Sequence, residues 1–228
     1  MKRSKLLTGL LSLGLTAALL NPFSVLATAE GAAADTGIAT NSIEGWPQGP
    51  DITSNAAVIM EDSTNTILYA KNKDAALYPS SITKIMTALL TLEAVGRGEL
   101  DLNDVITMDD AALADLTPDS STAGLQAGEE ITVRNLLYCL LLASANEAAN
   151  ALAIAVAGDI PTFVEQMNQR AQELGMSGTH FVNPHGLHSD DNYTTARAIF
   201  KMAKQAMTPA PFRANVPTGT STVHHTNH

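Results

Sequence analysis

Tyr78-Pro79-Ser80-Ser81-Ile82-Thr83-Lys84-Ile85-Met86-Thr87 is the stretch on which the reading of this chain turns. At Pro79 the hydropathy period changes: Ile82, Ile85, Met86 and Leu89 recur at helical spacing, and Gly96 and Gly98 close the segment. A helix beginning at Ser80 or Ser81 is predicted. Positions three apart on a helix share a face, so the Ser81 hydroxyl and the Lys84 amine come within reach of each other. That pairing is a nucleophile beside a base, provided burial or a nearby cation lowers the amine's pKa toward neutrality. The start of the helix adds backbone N–H groups suited to a developing oxyanion. The same spacing also fits an N-cap serine next to a solvated lysine.

Before this helix, Ala56 to Met60 and Thr66 to Ala70 are short β-prone runs separated by Asp62-Ser63-Thr64-Asn65, which supplies turn chemistry. A β-hairpin is predicted. Apolar residues at both alternations of each run predict a sheet covered on both faces, and such a hairpin needs further strands beside it. After it, a helical block starts at Thr132, is dense in leucine from Leu136 to Leu142, and continues through Ala148 to Ala157 before Gly158. Arg134 and Glu147 bracket its uncharged run, which is too short to span a membrane. Pro161, with Phe163, Val164, Met167, Ala171 and Leu174 on one face and Gly175 beyond, marks a third helix. Thr195 to Met207, stopped by Pro209, marks a fourth, and Ala210 to His228 reads as an irregular tail. Hairpin first and helices afterwards is an α+β order.

Ser144-Ala145-Asn146 interrupts the leucine-rich helix, placing a hydroxyl and a carboxamide where more leucine or alanine would be expected. A helix-to-helix joint capped by Ser144 is the plain alternative. Ser63-Thr64-Asn65 has the same pattern in the hairpin turn, so position in a helix break is what sets the second triplet apart.

The 228 residues are 45% apolar, 16% charged and 4% aromatic, which fits a packed globular protein and excludes a charge-rich disordered tail. With 13 Lys and Arg against 23 Asp and Glu the net charge is -10, so no nucleic-acid partner is expected. The single Cys139 lies among leucines and reads as an inert core thiol, and one cysteine excludes disulfide scaffolds and cysteine-rich zinc modules. His180, His185 and His188 cluster late in the chain, but no H-E-x-x-H accompanies them. No metal and no cofactor is expected.

The chain opens with Met1-Lys2-Arg3-Ser4-Lys5, an almost wholly apolar run from Leu6 to Leu20, and Ala27-Thr28-Ala29. These are the three regions of a secretory signal peptide cut after Ala29. Residues 30–50, rich in Ala, Gly, Thr and Asn without periodicity, read as a flexible leader. One folded domain is expected from residue 51 to residue 228.

The motifs resemble those of a known family, the serine D-alanyl-D-alanine carboxypeptidases, or low-molecular-weight penicillin-binding proteins, peptidase family S11. Residues 78–87 are similar to its nucleophile segment, and Gly128-Glu129 with Leu136 to Asn150 to its second-motif region. Phe163 to Met176, Thr179 to Leu187 and Thr194-Thr195-Ala196-Arg197 then follow in the family's order, so the resemblance runs from about Ala56 to Met207. It implies a transpeptidase-like α+β fold, a helical cluster packed on an antiparallel sheet. The implied enzyme removes the terminal D-alanine from peptidoglycan stem peptides ending in D-Ala-D-Ala through an acyl-serine, outside the cytoplasm, with β-lactams as covalent inhibitors. Ser81 would be nucleophile and Lys84 its base. Ser144 would relay a proton toward the leaving amine, and Asn146 would hold the substrate's peptide group.

The family's third motif, Lys-Thr-Gly, has no counterpart here. Thr218-Gly219-Thr220 follows Pro217 rather than lysine, and His225-Thr226-Asn227-His228 resembles the family segment shortly before that motif. The expectation is a chain that stops short of the third motif, without the C-terminal sheet strands and without the C-terminal membrane anchor that many members carry, and with impaired turnover. The alternatives are a serine β-lactamase-like hydrolase or a noncatalytic wall-binding remnant. The first needs a glutamate to activate water, and Glu165 reads as a solvated position on the third helix.

Overall fold

The computed structural model describes residues 40–215 and 217–223. The expected signal peptide of residues 1–29, the expected leader up to residue 39 and the His225 to His228 segment lie outside the described residues.

Strands β1 (Ala57–Glu61) and β2 (Thr66–Lys71) pair antiparallel as the sequence predicts, with an irregular register between Ile59 and Met60. Glu61 closes the turn by accepting from the backbone and side chains of both Ser63 and Thr64. These bonds favour the ionised carboxylate and hold its pKa down at about 2, with the Thr64 hydroxyl contributing most. The expectation of a sheet covered on both faces is corrected: Ile59 and Leu68 stay 52% and 46% exposed, while Ile67 and Tyr69 are buried.

The segment before the hairpin runs along β2. The Asn41 carboxamide accepts from Ala70 N and donates to Ala70 O, both at 3.1 Å, so one side chain imitates a neighbouring strand. Tyr69 Oη donates to Pro50 O, and its ring lies against Gly49, where a Cβ would come within 2.6 Å of ring carbon.

Helix α1 (Lys84–Arg97) is entered through a 3-10 turn, Ser80–Thr83, and ends at Gly98, whose φ of 74° is the left-handed cap that glycine adopts without steric cost. Met86, Ala88, Leu89, Leu90, Leu92 and Ala94 are all buried, so α1 is surrounded and forms the centre of the core. Around it pack α2 (Val133–Leu142), α3 (Asn146–Ala157), α4 (Ile160–Glu173) and α5 (Ala196–Ala206). Thr132, Asp159 and Thr195 cap α2, α4 and α5 through side-chain oxygens that accept a backbone N–H, the third residue on in each case. Thr132 is therefore the cap of its helix rather than its first residue.

Two features depart from the sequence reading. Strands β3 (Val105–Thr107) and β4 (Glu130–Thr132) form a second antiparallel pair. The tail expected to be irregular from Ala210 begins with a short helix, α6 (Ala210–Asn215), from which Phe212 enters the core. The fold class is α+β, as predicted. Among the described residues no single helix is long and apolar enough to cross a membrane.

Candidate active site

Three segments far apart in sequence meet at the start of α1. The first is the 3-10 turn itself. Ser80 has a φ of 48°, unusual for a residue with a side chain, and the turn leaves Ser81 exposed while Thr83 and Lys84 are buried. The second is the break between α2 and α3. There Ala143 N and Ala145 N both donate to Cys139 O, and Ser144 takes a left-handed φ of 55° that ends one helix and re-aims the next. The third is the turn Asn183-Pro184-His185-Gly186-Leu187, in which Asn183 Oδ1 accepts from Gly186 N and Asn183 Nδ2 donates to Leu187 O.

Gly186 allows the third segment to reach the first. It has a φ of 91°, and a Cβ built there would lie 1.9 Å from the carbonyl oxygen of Ser80. Only a residue without a side chain fits this approach. The Thr87 hydroxyl donates to Pro184 O at 2.6 Å, and antiparallel backbone bonds between Leu77 and Thr194 tie down both flanks.

The four residues singled out from sequence converge. Lys84 Nζ is 3.3 Å from Ser81 Oγ, 2.7 Å from Asn146 Oδ1 and 2.8 Å from the backbone oxygen of His185. On the other side, Ser144 Oγ is 2.9 Å from Ser81 Oγ and can donate to it. Lys84 is 3% exposed, and burial pushes its pKa down to about 8 against a smaller opposing pull from the Glu147 carboxylate. The carboxamide oxygen and the carbonyl are acceptors only and take two of the amine's N–H bonds. When the amine is neutral, its lone pair is left for Ser81. The solvated-lysine reading of this motif is thereby excluded.

Other functional neighbours were not singled out in the sequence. Glu147, read there as one end of an uncharged run, is fully buried, and its Oε1 accepts from Ala123 N at 2.6 Å and Gly124 N at 3.1 Å. Asn146 N donates to Ser121 O, and Asn150 Nδ2 donates to Ala112 O and to Asp115 Oδ1. One face of α3 thus holds the 112–125 loop against the site. The sequence signal for Glu147 and Asn150 was a polar residue inside an apolar helix; nothing in the sequence marks Asp115. His185 presents its backbone oxygen to Lys84.

Glu165 is exposed, and Cys139 lies in the core among Leu136 and Leu140, both in agreement with the sequence reading; burial pushes the Cys139 thiol up to about 11. Among the described residues no group of His, Cys, Asp or Glu is arranged to hold a metal.

Comparison with known proteins agrees with this geometry. The chain is 37% identical over 154 residues to the D-alanyl-D-alanine carboxypeptidase DacF of Bacillus subtilis, covering 68% of this chain and 39% of that protein. It is 36% identical over 148 residues to DacA of Haemophilus influenzae, covering 65% and 38%. It therefore spans about two fifths of the length of these relatives. Among solved structures, penicillin binding protein 5 from Haemophilus influenzae superposes with a TM-score of 0.69 at 33% identity, over 72% of this chain and 47% of that one. The Streptomyces K15 DD-transpeptidase gives 0.68 at 33% identity, over 77% and 72%. At these identities the likeness extends beyond fold, and the profile of the D-alanyl-D-alanine carboxypeptidases matches residues 44–223, so the chain belongs to peptidase family S11.

Proposed function

We propose that the protein is a serine-type D-Ala-D-Ala carboxypeptidase that acts on peptidoglycan stem peptides through an acyl-enzyme on Ser81. The observation that carries this reading is the position of the Lys84 amine, buried and held by Asn146 and His185 with its remaining site toward an exposed Ser81 hydroxyl. A serine hydroxyl is a weak nucleophile until a neighbour accepts its proton, and an amine near pKa 8 is neutral often enough near pH 7 to do so.

In this reading Ser81 Oγ attacks the carbonyl carbon between the two D-alanines as its proton passes to Lys84. The tetrahedral intermediate collapses by breaking the C–N bond. Ser144, hydrogen-bonded to Ser81, carries a proton to the departing amine, and Lys84 replenishes it. Water then attacks the acyl-serine with the same groups used in reverse. In the same reading the Asn146 carboxamide, which accepts from Lys84, also bonds the substrate's peptide group. A β-lactam would acylate Ser81 by the same attack, its amide nitrogen remaining attached after the ring opens.

Export fits this role. The basic start, the apolar run and Ala27-Thr28-Ala29 support cleavage after Ala29 and work at the wall or the outer face of the cytoplasmic membrane. N-terminal sequencing of exported protein should begin at Glu30. The test of the chemistry is labelling with a fluorescent penicillin followed by peptide mapping. Stable label on Ser81, lost in Ser81→Ala, supports an acyl-serine peptidase, rapid release of the label points to a β-lactamase, and normal labelling of Ser81→Ala overturns the assignment.

A further inference from the structure

The residue that holds Lys84 from below is connected to the outside of the molecule by side chains the reaction does not use. His185 presents its backbone oxygen to Lys84 Nζ at 2.8 Å, and its ring is 1% exposed. Nδ1 of that ring accepts from Leu187 N at 3.1 Å, which leaves the proton on Nε2, and Nε2 donates to Asp115 Oδ2 at 2.8 Å. Asp115 in turn takes Asn150 Nδ2 on its other oxygen at 2.7 Å. Its side chain is 46% exposed, and the His185 contact, ahead of Asn150, favours its charged form and lowers its pKa.

Asp115 therefore joins three bodies: the loop it belongs to, α3 through Asn150, and the 183–187 turn through His185. Two of these carry direct partners of Lys84, since α3 begins with Asn146 and the turn carries the His185 carbonyl. Both ring nitrogens of His185 are used, so the ring cannot rotate without losing a buried hydrogen bond, and a fixed ring restrains the carbonyl three bonds away along the same residue.

We propose that Asp115 and His185 form a positioning pair that fixes the Lys84 lone pair on Ser81, acting through the His185 carbonyl, with Asp115 needed as a hydrogen-bond acceptor. The proposal rests on Lys84 being the base. Misplacing a base by about an ångström is enough to slow a step by about 10- to 100-fold without weakening substrate binding.

The test uses the full chain in three forms: unchanged, Asp115→Ala and Asp115→Asn. Asparagine keeps an oxygen for His185 Nε2–H and removes the charge; alanine removes both. Two measurements are made. The first is the maximal rate of acylation by a fluorescent penicillin, separated from its noncovalent binding constant. The second is the 13C resonance of the His185 carbonyl, which reads the Lys84 contact without turnover and is calibrated by Lys84→Met. Asp115→Ala should lower the acylation rate about 10- to 100-fold at unchanged binding and move the carbonyl resonance toward that of Lys84→Met. Asp115→Asn should restore most of both. An unmoved carbonyl resonance in Asp115→Ala overturns the proposal, and equal losses in the two variants overturn it in favour of a purely electrostatic effect. If the unchanged chain takes no penicillin at all, the peptidase reading fails while the carbonyl resonance still decides the coupling.

Discussion

Ser144 Oγ and Ser81 Oγ lie 2.9 Å apart across 63 residues of sequence, joined because each sits on a backbone that other contacts have forced out of ordinary helical geometry. Ser144 is left-handed at φ 55°, and one residue before Ser81 the chain is left-handed again, at Ser80 with φ 48°. A residue with a Cβ gives up about 1 kcal/mol or more in that conformation. The strain is retained where it aims two hydroxyls at each other.

Ser144→Gly should for that reason separate stability from chemistry. Glycine takes the left-handed conformation freely, so urea denaturation should show a gain of about 1 kcal/mol. Penicillin acylation should fall by about 10²-fold or more, because the proposed mechanism passes a proton through the Ser144 hydroxyl. A variant that acylates at the unchanged rate would remove Ser144 from the mechanism.

The rate of acylation should rise with pH through about 8, where the Lys84 amine loses its proton, and level off above it. At pH 7 roughly a tenth of the molecules would hold the neutral amine. The sign for stability follows from the same depression. Between about 8 and the ordinary value of 10.5 the unfolded chain holds a proton the folded one has released, so this group adds stability as pH rises across that window. Below it both states are protonated, and the burial cost is fully present. Stopped-flow labelling from pH 6 to 10 measures the rate profile, and a flat profile would exclude Lys84 as the titrating base.

Glu147 holds the 112–125 loop through backbone N–H groups and also lends negative charge to Lys84. Glu147→Ala strips the acceptor from the part-buried Ala123 and Gly124 donors and should cost about 1 to 3 kcal/mol in chemical denaturation. Glu147→Gln keeps an oxygen for those donors and should cost much less. It also withdraws the charge that raises the Lys84 pKa, so its acylation profile should move to lower pH, whereas a move to higher pH would contradict the assigned sign.

Gly186→Ala places a methyl group 1.9 Å from the Ser80 carbonyl oxygen at a φ of 91°. The clash and the backbone strain together should destabilise the protein by more than about 2 kcal/mol and pull the 183–187 turn away from Ser80. Acylation should drop further than stability alone accounts for, which a comparison at matched folded fractions would reveal. Full activity in a stable Gly186→Ala protein would mean that the close approach is unnecessary.

The sequence by itself determined whatever depends on neighbours along the chain. Asp62 to Asn65 turns the hairpin, and the period of Ile82, Ile85, Met86 and Leu89 makes α1. The helical repeat then puts Ser81 beside Lys84 however the rest folds. The break at Ser144 was also legible, because a hydroxyl and a carboxamide in a leucine-rich run compete with helix for backbone partners. Strands β3 and β4, three residues each, are too short for their alternation to be read. The exposure of Ile59 and Leu68 depends on what covers the sheet rather than on their own hydrophobicity. Tertiary structure alone decided which groups meet Lys84. Asn146 reaches it from α3, and His185 reaches it by a backbone oxygen, a group that every residue carries and no sequence pattern can mark. Burial, which only the packed core supplies, is what turns an ordinary lysine into an amine with a pKa of about 8.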